Sequence, residues 1–600
     1  MPAKRQRTEE KQPSRRRGGL GALIALTLVL VGGTLAHRAR SRSAAIPAHP
    51  TFNRDVAPIV YAHCAGCHHE GESAPFQLLT YPEVKQRARQ IAEMTAQHLM
   101  PPWLPAEGYG TFADERRLTP AQIKTIERWA LAGAPEGPPA APPPPPALSS
   151  GWQMGPPDLV VQMQGVYTLP AEGRDIYRTF VVRNPLKADR YVRAIQFRPN
   201  SKVVHHAFVQ VDETDQSRRL DAQDAEPGFP GMSPPSGSAS SGGYFLGWQP
   251  GRGATRSPEG LPWTLPAGAD LVMQLHMQTS GKTEQVQPSI GFYFAEQPAA
   301  NTPIKFSLSA YDIDIPAGTS NYLVHAEYQL PVDVQLLAVL PHAHYLGKQL
   351  EGFALLPNGQ KQWLLKIDHW DFNWQADYRY AQPLTLPKGT RLVMQYTYDN
   401  SAANARNPHQ PPVRVKYGLQ SNDEMAELWF QILVASEPEF ETFQTDYQKA
   451  IVKDVITFNQ WMLQQNPTNS HAHVQLGKAL YLQGQEKEAL DHFRQAIRVN
   501  PFEAEAHYHL GVMLLKRNQP ELAKGAFQYA IQINPSHVQA LNNLGLVLMR
   551  QGKLDEAETQ FRAALRAHPA DSVVRDNLEL LEAARRRTRP ANTNQPRGSD

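Results

Sequence analysis

The chain has very few cysteines and no excess of charge of either sign. Cys64 and Cys67 are the only two cysteines among 600 residues, so the chain cannot build the multiple disulfides that stabilise many secreted domains. Its 60 lysines and arginines nearly balance 57 aspartates and glutamates, and the basic excess lies largely within the first 42 residues. Because the basic excess lies outside the predicted domains, we expect no nucleic-acid partner.

Long apolar runs are also scarce, and the one that stands out lies near the N-terminus. Residues 18–36 carry no charge and follow a basic stretch, which is typical of a signal peptide or a membrane anchor rather than of a buried core helix. Three arginines within residues 38–42 disfavour cleavage, so both outcomes stay open. Residues 1–45 therefore predict an exported, periplasmic or extracytoplasmic protein, either released or tethered to the inner membrane.

Composition divides the rest of the chain into units. Residues 46–137 predict a small helical domain, whose last helix follows the potential cap Thr119. A proline-rich stretch then breaks all periodicity and predicts a semi-rigid linker over residues 138–157. The helices predicted for the first unit are 53–62, 82–97 and 120–132.

The middle of the chain is dominated by short β-rich runs separated by proline and glycine turns. Residues 158–303 and 304–436 each have the size of one antiparallel β-sandwich, so we predict two such domains. Within the first, residues 226–260 are rich in glycine, serine and proline, which indicates a long loop over the sandwich.

A repeat of 34 residues marks the C-terminal region. The period is visible in four dipeptides: Asn466-Pro467, Asn500-Pro501, Asn534-Pro535 and His568-Pro569. Leucine-glycine pairs, an alanine and a phenylalanine also return at fixed positions, and this pattern resembles tetratricopeptide repeats. The resemblance implies an α-helical solenoid over residues 437–585, whose concave groove binds a protein or peptide partner. Residues 586–600 read as a polar tail.

The two cysteines belong to the pentapeptide Cys64-Ala65-Gly66-Cys67-His68. In an exported chain this spacing predicts one covalent haem c, because both thiols can bond the vinyl groups while His68 ligates the iron. A CxxC pair could instead be redox-active or bind zinc, but zinc needs two further ligands and the chain has no second cysteine pair. Residues 52–137 resemble a class I cytochrome c, which implies a methionine as the sixth ligand. Met100 beside two prolines is the first candidate, and Met94 in a helix-like run is the second.

Three HxH patterns occur, and about one is expected by chance with 21 histidines in 600 residues, so context decides. His342 and His344 follow an apolar β run, where residues two apart face the same side and can share one metal. His205-His206 also follows a β run, but adjacent strand residues diverge, so this pair either packs or needs a bulge to chelate. The patterns at 471–473 and 507–509 lie on repeat helices and predict structural or surface histidines.

Motifs with histidine and methionine follow one another through the β-rich region. They are Val203-Val204-His205-His206, Gln274-Leu275-His276, His342-Ala343-His344-Tyr345-Leu346-Gly347-Lys348 and Asn422-Asp423-Glu424-Met425. Residues 158–436 thereby resemble the copper type II, ascorbate-dependent monooxygenases, which include peptidylglycine- and dopamine-hydroxylating enzymes. The resemblance implies two sandwiches that bind one copper ion each. It assigns a first copper to His205, His206 and His276, and a second, catalytic copper to His342, His344 and Met425.

The resemblance also implies roles for the two coppers. The three-histidine copper relays electrons, while the other, whose thioether ligand favours Cu(I), binds dioxygen and abstracts hydrogen from a substrate C–H bond. A tethered haem would replace or supplement ascorbate as the reductant. The peptide-amidating members hold a carboxylate with Arg and Tyr where this chain has Leu340 and Trp429. We therefore expect an apolar or aromatic small-molecule substrate without a carboxylate anchor.

The sequence thus predicts a multidomain architecture: an α-helical cytochrome c-like domain, two antiparallel, jelly-roll-like β-sandwiches and a tetratricopeptide solenoid. Its predicted function is that of an exported copper monooxygenase with two copper ions, one haem c and a separate electron donor. The competing interpretation is a non-catalytic electron-transfer or copper-holding scaffold whose repeats recruit a partner. The presence of all six expected copper ligands argues against the scaffold.

Overall fold

The structure is a computed structural model of the chain. It describes residues 46–69, 74–138, 152–213, 216–231, 238–239, 243–250, 252–299, 301–568 and 571–588. The predicted export segment, and most of the predicted proline-rich linker and polar tail, lie outside these residues. Within them, no helix has both the length and the apolar character needed to cross a membrane.

The chain divides into two compact units. Within the described residues, the first comprises 46–64, 78–101 and 117–138, and the second comprises 65–69, 74–77, 102–116 and the described residues from 152 onwards. The larger unit therefore includes two segments of the region that was expected to form one helical domain. Cys67 and His68 lie in the first of these segments.

Short helices make up the first unit. They follow a one-turn π-helix at Phe52–Val56 and are α1 Ala57–His63, α2 Tyr81–Gln86, α3 Ala88–Ala96 and α4 Pro120–Leu131. The helices predicted from the sequence are confirmed, except that Arg87 interrupts the second one. Thr119 caps α4 as predicted, because its hydroxyl accepts from the backbone N–H of Gln122 at 3.2 Å. The rings of Phe52 and Trp129 lie 6.2 Å apart in the core of this unit.

Thirteen short strands and one helix form the first β domain within the described residues. They are β1 Leu159–Gln162, β2 Tyr167–Leu169, β3 Ile176–Arg183, β4 Arg190–Arg198, β5 Val204–Asp212, α5 Gln216–Asp221, β6 Phe229–Pro230, β7 Ser238–Ala239, β8 Gly247–Trp248, β9 Thr255–Arg256, β10 Trp263–Leu265, β11 Asp270–Met277, β12 Glu284–Val286 and β13 Ser289–Ala295. One main sheet has the order β1-β13-β4-β10 and the other β6-β3-β11-β5-β7. Apolar residues of both sheets share one core, as expected for a β-sandwich.

The second β domain repeats this architecture with longer strands. They are β14 Ile304–Ser309, β15 Asp314–Ile315, β16 Tyr322–Gln329, β17 Val334–Ala343, β18 Gly347–Leu355, β19 Lys361–Ile367, β20 Tyr378–Leu386, β21 Arg391–Tyr398, β22 Val415–Lys416 and β23 Ala426–Leu433. Its main sheets have the orders β14-β23-β17-β20 and β16-β21-β18-β19. Alternating buried residues from both sheets fill its core.

The segment Pro102–Arg116 adds to the second sandwich, which the sequence analysis did not predict. Pro105 forms an antiparallel bridge with Ile367 at the end of β19, and Phe112 forms one with Tyr380 in β20. Because β19 and β20 are edge strands of different sheets, the segment joins the edges of both sheets. It thereby covers edges that would otherwise expose unpaired backbone groups.

A stack of helices follows the second sandwich and confirms the predicted repeats. The helices are α6 Glu437–Ala450, α7 Val452–Gln465, α8 Ser470–Leu482, α9 Glu486–Val499, α10 Ala504–Lys516, α11 Pro520–Ile533, α12 Val538–Arg550, α13 Leu554–Ala567 and α14 Ser572–Thr588. The glycine of each leucine-glycine pair lies against a phenylalanine of the next helix. A Cβ added to Gly511 would lie 2.5 Å from the ring of Phe527, so the repeated glycine allows a close helix contact.

Candidate metal centres

The first candidate centre lies at the ends of the neighbouring strands β5 and β11. His276 of β11 pairs with His206 of β5, but the next residue, Met277, pairs with Val204, so the register shifts here. His205 is the extra residue of this β-bulge, which takes its side chain out of the normal alternation. The bulge that chelation by adjacent histidines requires is therefore present.

The bulge brings three imidazoles together. The Nδ1 atom of His206 lies 3.3 Å from Nδ1 of His205 and 3.3 Å from Nδ1 of His276. Ligand atoms of all three residues lie within 4.8 Å of one another. Two nitrogens bound to one metal at about 2.0 Å in tetrahedral geometry are about 3.3 Å apart. The two Nδ1–Nδ1 distances from His206 therefore fit ligands of one metal ion.

Protonation in this cluster also favours a metal. The Nε2–H of His276 donates to Asp175 Oδ2 at 2.7 Å, which leaves the Nδ1 lone pair of the neutral ring facing His206. Burial and the neighbouring histidines lower the pKa of His206 well below its usual value. Burial and the neighbouring His276 lower the pKa of His205 to about 4. Neutral imidazole is the form that binds a metal, so both residues are ready to act as ligands.

The second candidate centre lies where β17 ends. The ring centroids of His342 and His344 lie 5.2 Å apart. His342 Nδ1 contacts the side-chain oxygen of Gln375, whose amide is oriented by donation from Nε2 to the carbonyl oxygen of Phe372 at 3.0 Å. His344 Nδ1 lies 3.1 Å from the carbonyl oxygen of Asp423. Both oxygens only accept, so both Nδ1 atoms carry protons and the Nε2 lone pairs are left for a metal.

Glu424 ties the segment of Met425 to the end of β17. Its buried carboxyl group accepts from the backbone N–H groups of His344, of Leu346 at 2.9 Å and of Met425 at 2.9 Å. Burial raises the pKa of Glu424 to about 8 against the effect of these hydrogen bonds. Burial and the neighbouring His342 lower the pKa of His344 to about 3. One carboxyl group thus positions the backbone of two predicted ligands, and Met425 itself is buried.

The two centres face each other across Phe372. The ring of His205 stacks on Phe372 with a centroid distance of 5.2 Å, and His344 meets the same ring edge-on at 5.4 Å. Asp175, which orients the first centre, also accepts from the hydroxyl of Ser421 at 3.1 Å, in the loop before β23. The sequence analysis missed Phe372 and Asp175, because both reach the centres from distant positions and no spacing marks them.

The predicted haem residues are divided between the two units, and each part is described by itself. In the second unit, His68 Nδ1 lies 3.1 Å from the carbonyl oxygen of Phe76, so Nδ1 carries the proton and Nε2 the lone pair. Cys64 follows α1 in the first unit, Cys67 lies in the second, and both are partly buried. Met100 follows α3 in a non-helical segment, whereas the alternative methionine lies inside α3.

The histidine pairs of the repeats have structural partners, as predicted. His473 and His507 occupy equivalent positions and donate from Nε2 to the carbonyl oxygens of Pro467 and Pro501, at 3.2 and 2.9 Å. Each bond ties a repeat helix to the turn before it. In the part of the chain that the structure describes, the three-histidine cluster is the one group of three or more His, Cys, Asp or Glu side chains close enough to share a metal.

Residues 320–436 match the family model of the copper type II ascorbate-dependent monooxygenase C-terminal domain. The second sandwich is thus similar to copper monooxygenase domains, which implies a copper cofactor and supports an oxidoreductase. Residues 477–518 and 514–572 match models described as TPR repeat and tetratricopeptide repeat. None of the curated proteins compared with the chain matches it.

Several solved structures resemble part of this chain, including two of TPR proteins. The first TPR of Spaghetti (RPAP3) bound to an HSP90 peptide is 18% identical with a TM-score of 0.19, over 20% of this chain and 93% of that one. YrrB, a TPR protein with an unusual peptide-binding site, is 27% identical with a TM-score of 0.21, over 23% and 71% of the two chains. MamA is 21% identical with a TM-score of 0.21, over 25% and 86%.

Proposed function

We propose that the chain is an exported copper monooxygenase that hydroxylates a C–H bond of a small molecule with dioxygen. The observation that carries this proposal is the pair of imidazole clusters that face each other across Phe372. One cluster has three histidines and the other has two histidines beside a methionine segment, and both donor sets suit copper. The similarity of residues 320–436 to a copper monooxygenase domain supports the same conclusion.

We assign His205, His206 and His276 to an electron-relaying centre. Burial keeps the first two imidazoles neutral, and Asp175 orients the third by accepting its Nε2–H. A set of three imidazoles suits copper in both of its oxidation states. The ring of His205 stacks on Phe372, and this contact holds the imidazole on the side of the centre that faces the second centre.

We assign His342, His344 and Met425 to the catalytic centre. Copper bound there supplies one-electron chemistry and the activation of dioxygen. The thioether of Met425 is a soft donor that favours Cu(I), and the two imidazoles present Nε2 lone pairs. Leu340 and Trp429 pair across the strands next to this centre and offer an apolar surface to the substrate.

We further propose that residues 46–137 act as a cytochrome c-like domain that delivers electrons. Cys64 and Cys67 would hold haem c covalently, with His68 and Met100 as the axial ligands. The bond from His68 Nδ1 to a backbone carbonyl supports this role, because it favours the tautomer with the proton on Nδ1, which is the tautomer that ligates a metal through Nε2. The haem supplies a one-electron carrier, and the tether raises its local concentration. If Met100→Ala leaves the reduced spectrum and the reduction potential unchanged, Met94 becomes the candidate ligand.

Two further roles concern parts of the chain away from the copper centres. We propose that the concave side of the repeats binds a protein or peptide partner. We also propose that the N-terminal segment directs the chain to the periplasm or another extracytoplasmic compartment, released or anchored. Cell fractionation of the full chain tests this location, and recovery with cytoplasmic proteins contradicts it.

Two variants separate a monooxygenase from a copper-holding scaffold. Met425→Ala should abolish dioxygen consumption with a chemical reductant while the three-histidine centre keeps its copper. His68→Ala should keep both coppers and consume dioxygen with that reductant, but should lose electron delivery through the haem. Metal and haem analysis of both proteins, with two coppers and one haem expected in the wild type, checks the cofactors. Equal activity of the wild type and Met425→Ala refutes the proposal and leaves the scaffold.

A further inference from the structure

One face of the second sandwich carries polar and aromatic side chains next to the proposed catalytic centre. In the sheet β14-β23-β17-β20, strand pairing arranges these residues in cross-strand rows. The rows are Lys305-Gln431-Ala338, Ser307-Trp429-Leu340 and Ser309-Glu427-His342. The residues between them in β14 and β23, such as Phe306 and Phe430, are buried in the core. The three rows therefore lie on the opposite, outer face of the sheet.

Lys305 brings a positive charge to this face without an ion-pair partner among the described residues. Its Nζ atom lies 5.6 Å from the centroid of the Trp429 ring and 5.8 Å from that of Phe245, which belongs to a loop of the first sandwich. Burial lowers the pKa of Lys305 to about 8. The ammonium group has therefore exchanged part of its water for two aromatic faces, and it lacks a counter-charge.

Trp429 stands between Lys305 and the catalytic centre. It lies one strand and one row from Lys305, and one strand and one row from His342. Its indole N–H donates to Glu427 Oε2 at 2.9 Å, which orients the ring towards the row of His342. With strands about 4.8 Å apart and a rise of about 3.4 Å per residue, the Cα atoms of Lys305 and His342 are roughly 17 Å apart. Because Lys305 Nζ already lies over the Trp429 ring, the distance that remains between Nζ and His342 is about the length of a phenylalkanoate.

We propose that Lys305 is a specificity-determining residue that binds a carboxylate of the substrate, whose apolar part lies on Trp429 and Leu340. The assignment rests on the proposed monooxygenase function and names its substrate class, small apolar or aromatic acids. Positions 340 and 429 lack the Arg and Tyr anchor of the peptide-amidating enzymes, and a lysine from β14 supplies the charge instead. This revises the expectation of a substrate without a carboxylate anchor.

Another lysine, which packs on aromatic rings away from the proposed site, serves as the control for this test. Lys361 in β19 lies 3.6 Å from the ring centroids of both Phe353 and Trp363, but it is exposed and belongs to the other main sheet. An exposed ammonium keeps its water, so it gains little from an added anion. Lys361→Met is therefore the matched control for Lys305→Met, since both remove a lysine that packs on two aromatic rings.

The test measures binding without turnover. The full chain, loaded with Cu(II) and kept free of reductant, is titrated calorimetrically with 4-phenylbutanoate and with its neutral analogue 4-phenylbutanamide. We expect the acid to bind about tenfold more tightly than the amide, because a charged partner strengthens the hydrogen bond. Lys305→Met should reduce the acid preference to about twofold or less without changing amide binding. Lys305→Arg should keep most of the preference, and Lys361→Met should leave it intact.

The pH dependence gives a second readout. The preference for the acid should fade as the pH rises from 7 to 9, because the ammonium group loses its proton near its lowered pKa, whereas amide binding should stay constant. An unchanged preference in Lys305→Met, or no binding of either probe to the wild type, overturns the assignment. If binding follows the expectation but no hydroxylated product forms with reductant and dioxygen, the proposed monooxygenase function fails while the carboxylate site stands.

Discussion

The substitution Glu424→Gln tests how the proposed second copper centre is held together. The two oxygens of Glu424 accept three backbone N–H groups: those of His344 and Met425 on Oε1, and that of Leu346 on Oε2. Glutamine has the same shape but only one oxygen. Its oxygen can keep the two bonds made by Oε1, and its amide nitrogen must then face the N–H of Leu346. The variant therefore removes one acceptor and places two donors against each other.

The magnitude follows from the burial of this group. Glu424 is fully buried, so no water can replace the lost acceptor. A buried donor without a partner costs about 1–3 kcal/mol, and the loss occurs whether the wild-type carboxyl is ionised or protonated, since Oε2 is an oxygen in both forms. A loss of about 2 kcal/mol in local opening free energy corresponds to roughly thirtyfold faster hydrogen exchange. The effect should be strongest at Leu346.

Hydrogen exchange measured by mass spectrometry on the full chain reports this change directly. We expect faster exchange in peptides that contain Leu346, and a Cu(I) affinity about 10–100-fold lower at the second centre. Glu351→Gln is the control, because that carboxyl group lies in the same sandwich and its ion pair to Lys366 at 3.5 Å is remote from the ligands. If the amide of Leu346 exchanges in Glu424→Gln at the same rate as in the wild type, the reasoning is refuted, whatever the copper affinity of the variant.

Three further predictions concern the other parts of the chain. Asp175→Ala should lower copper affinity at the three-histidine centre by about 10–100-fold in a competition titration, because one imidazole loses its orienting acceptor, and should affect the second centre less, because only the Ser421 hydroxyl of its loop loses a partner. Gly511→Ala should destabilise the repeats by about 1–3 kcal/mol in thermal unfolding, because its methyl group meets the Phe527 ring, whereas Gly525→Ala has open space and should not. Burial alone would raise the pKa of Glu505, but two histidines and a lysine outweigh it and lower the pKa to about 2. Helicity of the repeats should therefore fall as the pH drops from about 4.5 towards 2, and less steeply in Glu505→Gln.

Local periodicity explains the parts of the fold that the sequence predicted well. A period of 34 residues is typical of one helix pair per repeat. The glycine and phenylalanine residues that recur with this period were therefore sufficient to locate the solenoid. His342 and His344 were placed together by the alternation of a strand, which is also a local rule. His205 and His206 were left open between packing and chelation, because a bulge depends on the partner strand β11 and not on the pair itself.

Contacts between distant segments explain what the sequence could not predict. Lys305 lies more than a hundred residues before Trp429, and only the pairing of β14 with β23 brings the two side chains to one face. Phe372 meets both histidine clusters through the packing of one sandwich on the other. The bridges from Pro105 and Phe112 to the second sandwich likewise join segments that no motif connects. Each of these contacts is set by tertiary structure, which single-sequence patterns do not encode.

The hydrogen bonds around the two centres assign them different geometries. In the first, Asp175 accepts from Nε2 of His276, so the ring would bind a metal through Nδ1, the nitrogen nearer the backbone. In the second, Gln375 and a backbone carbonyl accept from the Nδ1 atoms of His342 and His344, so these rings would bind a metal through Nε2, at their outer ends. A metal bound through Nδ1 in the first centre would lie close to two paired strands, and a metal bound through Nε2 in the second would lie farther from the backbone, next to the sheet face that carries Trp429 and Leu340. This proton arrangement agrees with the proposed division of roles.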